Sequence, residues 1–259
     1  MKKIHKIAIV SGKGGAGKTT ITVNLGLALY NLGANIILLD GNITTPNLGL
    51  YMGILKTPTS LNDVLSDRAD ISDTIFTHSS GLGIVSSDLA VDAMNDIDFR
   101  KIKNVLPDLG NHADLLLVDT AATLGSETQR VLEAVDEIII VTNQDKGALV
   151  DALKTIGTAK RIGTPVIGVI INRVKKKLDY SRIENFLGIP IIGTIKHDEK
   201  FSKSTEKGKI YLETYKTNNV NRFYEIAARF LGDSYTVKLK KEKDSLFQYI
   251  LRQIGLLPR

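Results

Sequence analysis

The sequence predicts an α/β fold: a mostly parallel, twisted sheet of about seven or eight strands with helices on both faces. Three observations predict it. Short runs rich in Ile, Val and Leu recur along the chain. Most do not alternate with polar residues. Amphipathic stretches lie between several of them. A strand covered on both faces is apolar throughout, and strand–helix alternation builds parallel βαβ units. The apolar runs are 6–10, 35–40, 82–87, 114–119, 137–142, 165–172 and 189–195. The helical stretches are 17–32, 97–108, 147–161 and 180–187. No repeat or low-complexity linker interrupts them. The expected organisation is one domain over 1–232 and a tail over 233–259.

Composition narrows the chemistry. The chain has 259 residues, 43% hydrophobic and 24% charged, as in a globular domain. It has no cysteine, which excludes disulfides, thiolate metal sites and cysteine-ligated clusters. Lys2 and Lys3 precede an apolar run, "IAIV", of only four residues, where a signal peptide needs about 7–15. No run approaches the roughly 18 apolar residues of a membrane span. The expectation is a cytoplasmic chain starting near Met1. His5, His78, His112 and His197 lack ligand spacing and read as structural or surface residues. Net charge is +6 and the pI is near 9.3. That suits solubility, and also an anionic surface such as nucleic acid or lipid head groups. Residues 233–259 hold six basic and three acidic side chains, a net +3.

The stretch "SGKGGAGKTT", Ser11–Thr20, fits G-x-x-x-x-G-K-[ST] through Gly12, Gly17, Lys18 and Thr19. The motif requires a strand before it and a helix after it, and 6–10 and 17–32 supply them. Apolar Ile21, Leu25, Ala28, Leu29 and Leu32 give the helix its face, and Gly33 its stop. Glycines turn backbone N–H groups onto phosphate, and the helix N-terminus adds partial positive charge. The expected binding residues are Gly12, Lys13, Gly14, Gly15, Ala16, Gly17, Lys18, Thr19 and Thr20. Lys18 neutralises the β/γ phosphates and the Thr19 hydroxyl ligates Mg²⁺. The fold class is therefore a P-loop NTPase, with ATP and Mg²⁺ as cofactors. Lys13 is surplus to this motif, and the bland account of it is a solvated loop lysine.

"KGGAGKTT" resembles the deviant Walker A loop of the MinD/ParA family of ATPases, closest to archaeal-type MinD, the septum-site-determining branch. The resemblance implies that Lys13 reaches the nucleotide of a partner subunit, so that ATP bridges a homodimer. "IILLDGNITTPNLGL" (36–50) resembles the family's first switch, so Asp40 is implied to hold a Mg²⁺-bound water. Two residues on, the family usually has a second Asp, and this chain has Asn42. An amide orients water but does not accept its proton, so the expectation is slow hydrolysis. Alternatively, Asn42 caps a following helical turn. "DLLLVDTAATLG" (114–125) resembles the second switch. Asp119 matches its Mg²⁺-associated carboxylate, with Ala121 for the usual Pro and Thr123 for the usual Gly. "GVIINRV" (168–174) places Asn172 where the family reads the adenine edge, with backbone near 195–198 completing the base pocket. The catalytic set is thus Lys13, Lys18, Asp40 and Asn42. The resemblance covers residues 4 to about 232.

The tail reads as an amphipathic helix after a basic run. Leu246, Phe247, Ile250, Leu251, Ile254 and Leu257 share one face. That pattern suits an interfacial helix on anionic lipid, and the family resemblance implies the same. Docking on its own domain or on a partner is the alternative. The combined expectation is a MinD-like switch: an ATP-dependent homodimer, peripheral on the membrane, positioning an unidentified protein cargo. The runners-up are a ParA-like ATPase on DNA and a dimerisation module with little hydrolysis. The absence of cysteine removes an electron-transfer iron protein from the set.

Overall fold

The structure is a computed structural model, and it describes residues 4–88 and 97–232. The tail and its six expected membrane-facing residues lie outside the described residues. In chain order the strands are β1 (His5–Val10), β2 (Ile36–Gly41), β3 (Ile75–Thr77), β4 (Gly83–Val85), β5 (Leu115–Thr120), β6 (Glu137–Asn143), β7 (Val166–Val174) and β8 (Ile191–Lys196). They form one eight-stranded sheet in the order β3-β4-β2-β5-β1-β6-β7-β8. Every neighbouring pair is parallel except β3–β4. All seven expected strands are present. The eighth, β3, is a three-residue edge strand whose short pattern carries no periodic signal.

Successive residues of the central strands feed opposite cores. Ala8, Val10, Leu116 and Val118 pack into one, and Ile7, Ile9, Leu115 and Leu117 into the other. That division is the pleat of a strand covered on both faces. The first core is closed by α3 (Leu61–Leu65), α4 (Ile102–Val105), α5 (Ser126–Ala134), α6 (Lys146–Ile162) and α7 (Tyr180–Leu187). The second is closed by α1 (Lys18–Asn31), α2 (Leu48–Tyr51), α9 (Tyr211–Thr214) and α10 (Asn218–Leu231). A short α8 (Lys200–Glu206) precedes α9.

Two helices differ from their sequence patterns. The helix α1 is buried almost all round, Ile21 to Leu29 included, because α10 covers the side that an amphipathic surface helix would leave wet. The stretch 97–108 is not one helix. It is α4 between two 3₁₀ segments, 99–101 and 106–111, and Pro107 opens the second. Proline lacks the N–H that would continue the α-helical ladder. Gly33 does follow the end of α1 in the left-handed region, φ 98°, with its N–H on the Tyr30 carbonyl at 2.9 Å.

Candidate nucleotide site

The chain leaves β1 for β2 on one side of the sheet and later adds β6 on the other. The strand order therefore reverses around β1. Ligands of open α/β sheets sit beyond the strand ends at such a point. The 11–17 loop stands there. Gly17 is the N-cap of α1 at φ 97°, with no side-chain cap and no acid in the first turn. An uncapped helix start of this kind suits an anion. A Cβ at Gly12 would run into the Asp151 carbonyl of α6, and one at Gly17 into the Asn172 amide. These two glycines let α6 and β7 press on the loop from either side. Gly14, Gly15 and Lys13 are exposed. The Ser11 hydroxyl donates to the Lys13 carbonyl at 2.8 Å and accepts from Lys18 Nζ at 3.1 Å. Burial lowers the Lys18 pKa, and the Asp119 carboxylate works against that fall. A buried ammonium with one neutral acceptor is a strong attractor for phosphate oxygens.

Asp40 and Asp119 end adjacent strands in direct register. Thr19 Oγ1 donates to Asp119 Oδ2 at 2.5 Å, and Thr22 Oγ1 to Oδ1 at 3.3 Å. Asp40 accepts the N–H groups of Asn42 (3.1 Å), Asn47 (2.9 Å) and Leu48 (2.8 Å). Both carboxyls are fully buried. Burial, with the Asp119 charge alongside, pushes Asp40 up to about 8 despite those three N–H donors. Burial pushes Asp119 up to about 6, against the Thr19, Lys18 and Thr22 contributions that favour its charge. A hydroxyl and two carboxyls with raised proton affinity are a hard-oxygen set, and a small divalent cation would relieve the strain of ionising both. The chemistry of this set fits Mg²⁺, which Thr19, Asp40 and Asp119 would hold.

Asn42 is bonded twice within its own loop. Its Nδ2 donates to the Thr45 carbonyl, and its Oδ1 accepts from Thr45 Oγ1 at 3.0 Å. The N-cap of α2 is Asn47, not Asn42. Glu127, on the first turn of α5, takes the N–H groups of Ile43 and Thr44 and the Thr44 hydroxyl.

On the β7 side an open cavity of about 450 Å³ is lined by Thr20, Asn172, Arg173, His197, Asp198 and Phe201, among others. Of the stretch 195–198, His197 and Asp198 line this cavity, and Ile195 and Lys196 do not. Asn172 is 4% exposed. Its Nδ2 donates to the Ala16 carbonyl at 2.8 Å and its Oδ1 accepts from the Arg173 N–H at 2.9 Å. It ties β7 to the phosphate loop, a job the sequence did not suggest, and that leaves one N–H and one lone pair for a base. Arg173 sits at φ 54°, a conformation that its bond to Asn172 helps hold. Asn143, in register with Asn172, has a buried Oδ1 with no partner among the described residues. Such an atom costs free energy until something donates to it.

The fold thus gathers Lys18, Thr19, Thr20, Asp40, Asn42, Asp119 and Asn172 at one sheet edge and leaves Lys13 on its rim. Sequence reasoning missed Ser11, Thr22, Asn143 and Glu127. Ser11 and Thr22 lie inside or beside the motif. Glu127 had only a faint signal, an acid eight residues after Asp119 in a helix the pattern did not reveal.

A family model, ParA, described as NUBPL iron-transfer P-loop NTPase, matches residues 2–231. The chain belongs to this family of P-loop NTPases. It is a MinD/ParA-type ATPase, and like P-loop NTPases generally it works with ATP and Mg²⁺. It is 35% identical over 257 residues to an uncharacterised ATP-binding protein of Methanocaldococcus jannaschii, covering 98% of this chain and 97% of the relative. The solved structure of the septum site-determining protein MinD complexed with Mg-ADP, from Pyrococcus horikoshii, superposes with a TM-score of 0.85. It is 27% identical, over 92% of this chain and 99% of that one. A MinC:MinD cell division protein complex from Aquifex aeolicus gives 0.78 at 28% identity, over 91% and 98%. Iron transfer, which the family description names, finds no cysteine here to hold a cluster.

Proposed function

We propose that this chain is a MinD-like switch. Two copies close around two molecules of ATP, and the dimer docks on a membrane through the C-terminal tail to position a partner complex. Lys18 and the 12–17 backbone hold the β/γ phosphates. Thr19, Asp40 and Asp119 hold the Mg²⁺ that neutralises the charge developing on them. Asn42 orients the attacking water without accepting its proton, so turnover is slow. Phosphoryl transfer depends mostly on positioning and electrostatics, which is why an amide there slows rather than abolishes it.

The observation that carries this reading is Lys13. It is exposed on the loop rim, and its side chain makes no hydrogen bond or ion pair among the described residues. A cation held beside a triphosphate yet aimed at solvent suits a nucleotide presented by another copy. The MinC:MinD complex supports the partner element by likeness alone. The test is Lys13→Ala. ATP-dependent dimerisation, followed by light scattering, should be lost while monomer ATP affinity stays within about threefold, because Lys18 supplies the local neutralisation. A variant that still dimerises with ATP would sink the reading.

One observation favours a second reading, a ParA-like ATPase on DNA. Residues 173–216 hold eleven basic and six acidic side chains. Arg173, Lys175, Lys176, Lys177, Lys200 and Lys203 among them are exposed near the C-terminal sheet edge. Such a strip also suits a phosphate backbone.

A further inference from the structure

Three consecutive residues at the start of α5 grip two different loops. Glu127 Oε1 accepts from the Ile43 N–H and from the Thr44 N–H (3.2 Å), and Oε2 accepts from Thr44 Oγ1 at 2.9 Å. These donors belong to the loop after β2, which carries Asn42. Thr128 Oγ1 donates to the Thr123 carbonyl at 2.6 Å, and Gln129 Nε2 to the Leu124 carbonyl at 3.0 Å. Those acceptors belong to the loop after β5, which follows Asp119. Hydrogen bonds to a carboxylate are roughly twice as strong as neutral ones. The first turn of a helix also favours the negative charge of Glu127.

We propose that Glu127 is a positioning residue that couples the two loops, so that a shift of the 120–125 segment against phosphate is passed through α5 to the Asn42 loop. The coupling rests on the ATPase reading above. Glu127 touches no reacting atom. It acts through the Ile43 and Thr44 peptide units, which set where Asn42 stands. The second loop is held by the next two residues of the helix: Thr128 takes the Thr123 carbonyl and Gln129 the Leu124 carbonyl.

The test uses the full chain with Glu127→Ala, Glu127→Gln and Thr44→Val. Hydrogen exchange is followed in peptides spanning 42–47 and 120–125, with and without Mg²⁺ and a non-hydrolysable ATP analogue. Steady-state ATPase gives kcat and KM. In the wild type, nucleotide should change exchange in both peptides together. In Glu127→Ala, the 42–47 peptide should exchange roughly tenfold faster and stop responding to nucleotide, while the 120–125 peptide still responds. Its kcat should fall roughly tenfold with KM for ATP within about twofold, since the phosphate loop is untouched. Glu127→Gln, which keeps one acceptor oxygen, should recover part of the response, and Thr44→Val should lose part of it. If the 42–47 peptide of Glu127→Ala still follows nucleotide, the coupling is wrong and the ATPase reading stands. A general fall in thermal midpoint with kcat and KM altered alike, unrelieved by Gln, would also overturn it. A wild type that neither binds the analogue nor changes exchange would overturn both.

Discussion

On the proposed reading, one side chain, Asn42, separates binding from turnover. Its amide is bonded at both ends to Thr45, so it is placed, not loose. It sits two residues after a buried Asp40 whose carboxyl binds its own N–H. Replacing the amide by a carboxylate adds a proton acceptor at a position already fixed, where general-base catalysis is worth 10²–10⁴ at best. The cost is the bond from Nδ2 to the Thr45 carbonyl. Asn42→Asp is therefore expected to raise kcat by about tenfold, short of the full benefit, measured as phosphate release at saturating ATP and Mg²⁺. A rate equal to or below wild type would remove Asn42 as the brake. The departure at position 42 was plain in the sequence. Its bonding to Thr45 was not, because a turn of this kind depends on backbone path, not on spacing.

At the scale of elements, two parallel strands set the chemistry. The β2–β5 register places Asp40 beside Asp119, and neither strand alone contains the pair. Both folded pKa values are raised above the ordinary 3.8, Asp40 to about 8 and Asp119 to about 6. Well below pH 3.8 both carboxyls are protonated in the folded and unfolded chain, and the pair costs nothing. As pH rises toward 8 the unfolded chain releases protons that the fold retains, so the fold loses stability through that window. Mg²⁺ binding runs the other way, because it needs the ionised pair. Its apparent affinity, measured by calorimetry with a non-hydrolysable ATP analogue, should rise roughly tenfold per pH unit between 6 and 8 and level off above. A flat profile would show that Asp40 does not ionise for the metal. Each strand and each Asp at its end was legible, since an apolar run that stops at a carboxylate is a local pattern. The short helices around 48–51 and 200–214 were not, because their residues are held by tertiary contacts such as Asn24 Oδ1 accepting the Leu212 N–H at 2.9 Å.

For the whole molecule, the proposed function turns on the surface that the ATP-bound chain meets. No described helix is long and apolar enough to cross a membrane. The candidate surfaces are the exposed basic strip within 173–216 and the tail over 233–259. A dimer would present either one twice, and avidity multiplies a weak monomer contact by orders of magnitude. Deleting 243–259 is expected to abolish ATP-dependent sedimentation with anionic liposomes and to leave ATP binding unchanged. Sedimentation that survives the deletion would move the contact elsewhere. A salt-sensitive gel shift on arbitrary duplex DNA, retained in the same variant, would favour the ParA-like reading.

The sequence by itself determined the fold class, the phosphate loop with its extra lysine, and the carboxylates at the ends of β2 and β5. Each is a contiguous pattern whose physics is local: runs of buried aliphatics, glycines before a helix, an acid where a strand stops. Only the tertiary structure decided that Asn172 clasps Ala16, that α1 is buried on nearly every side, and that Glu127 holds a loop more than eighty positions away. Those arrangements depend on which strands lie side by side and which helix covers them. Contacts of that kind are set when the chain packs its two cores, and no spacing along the chain encodes them.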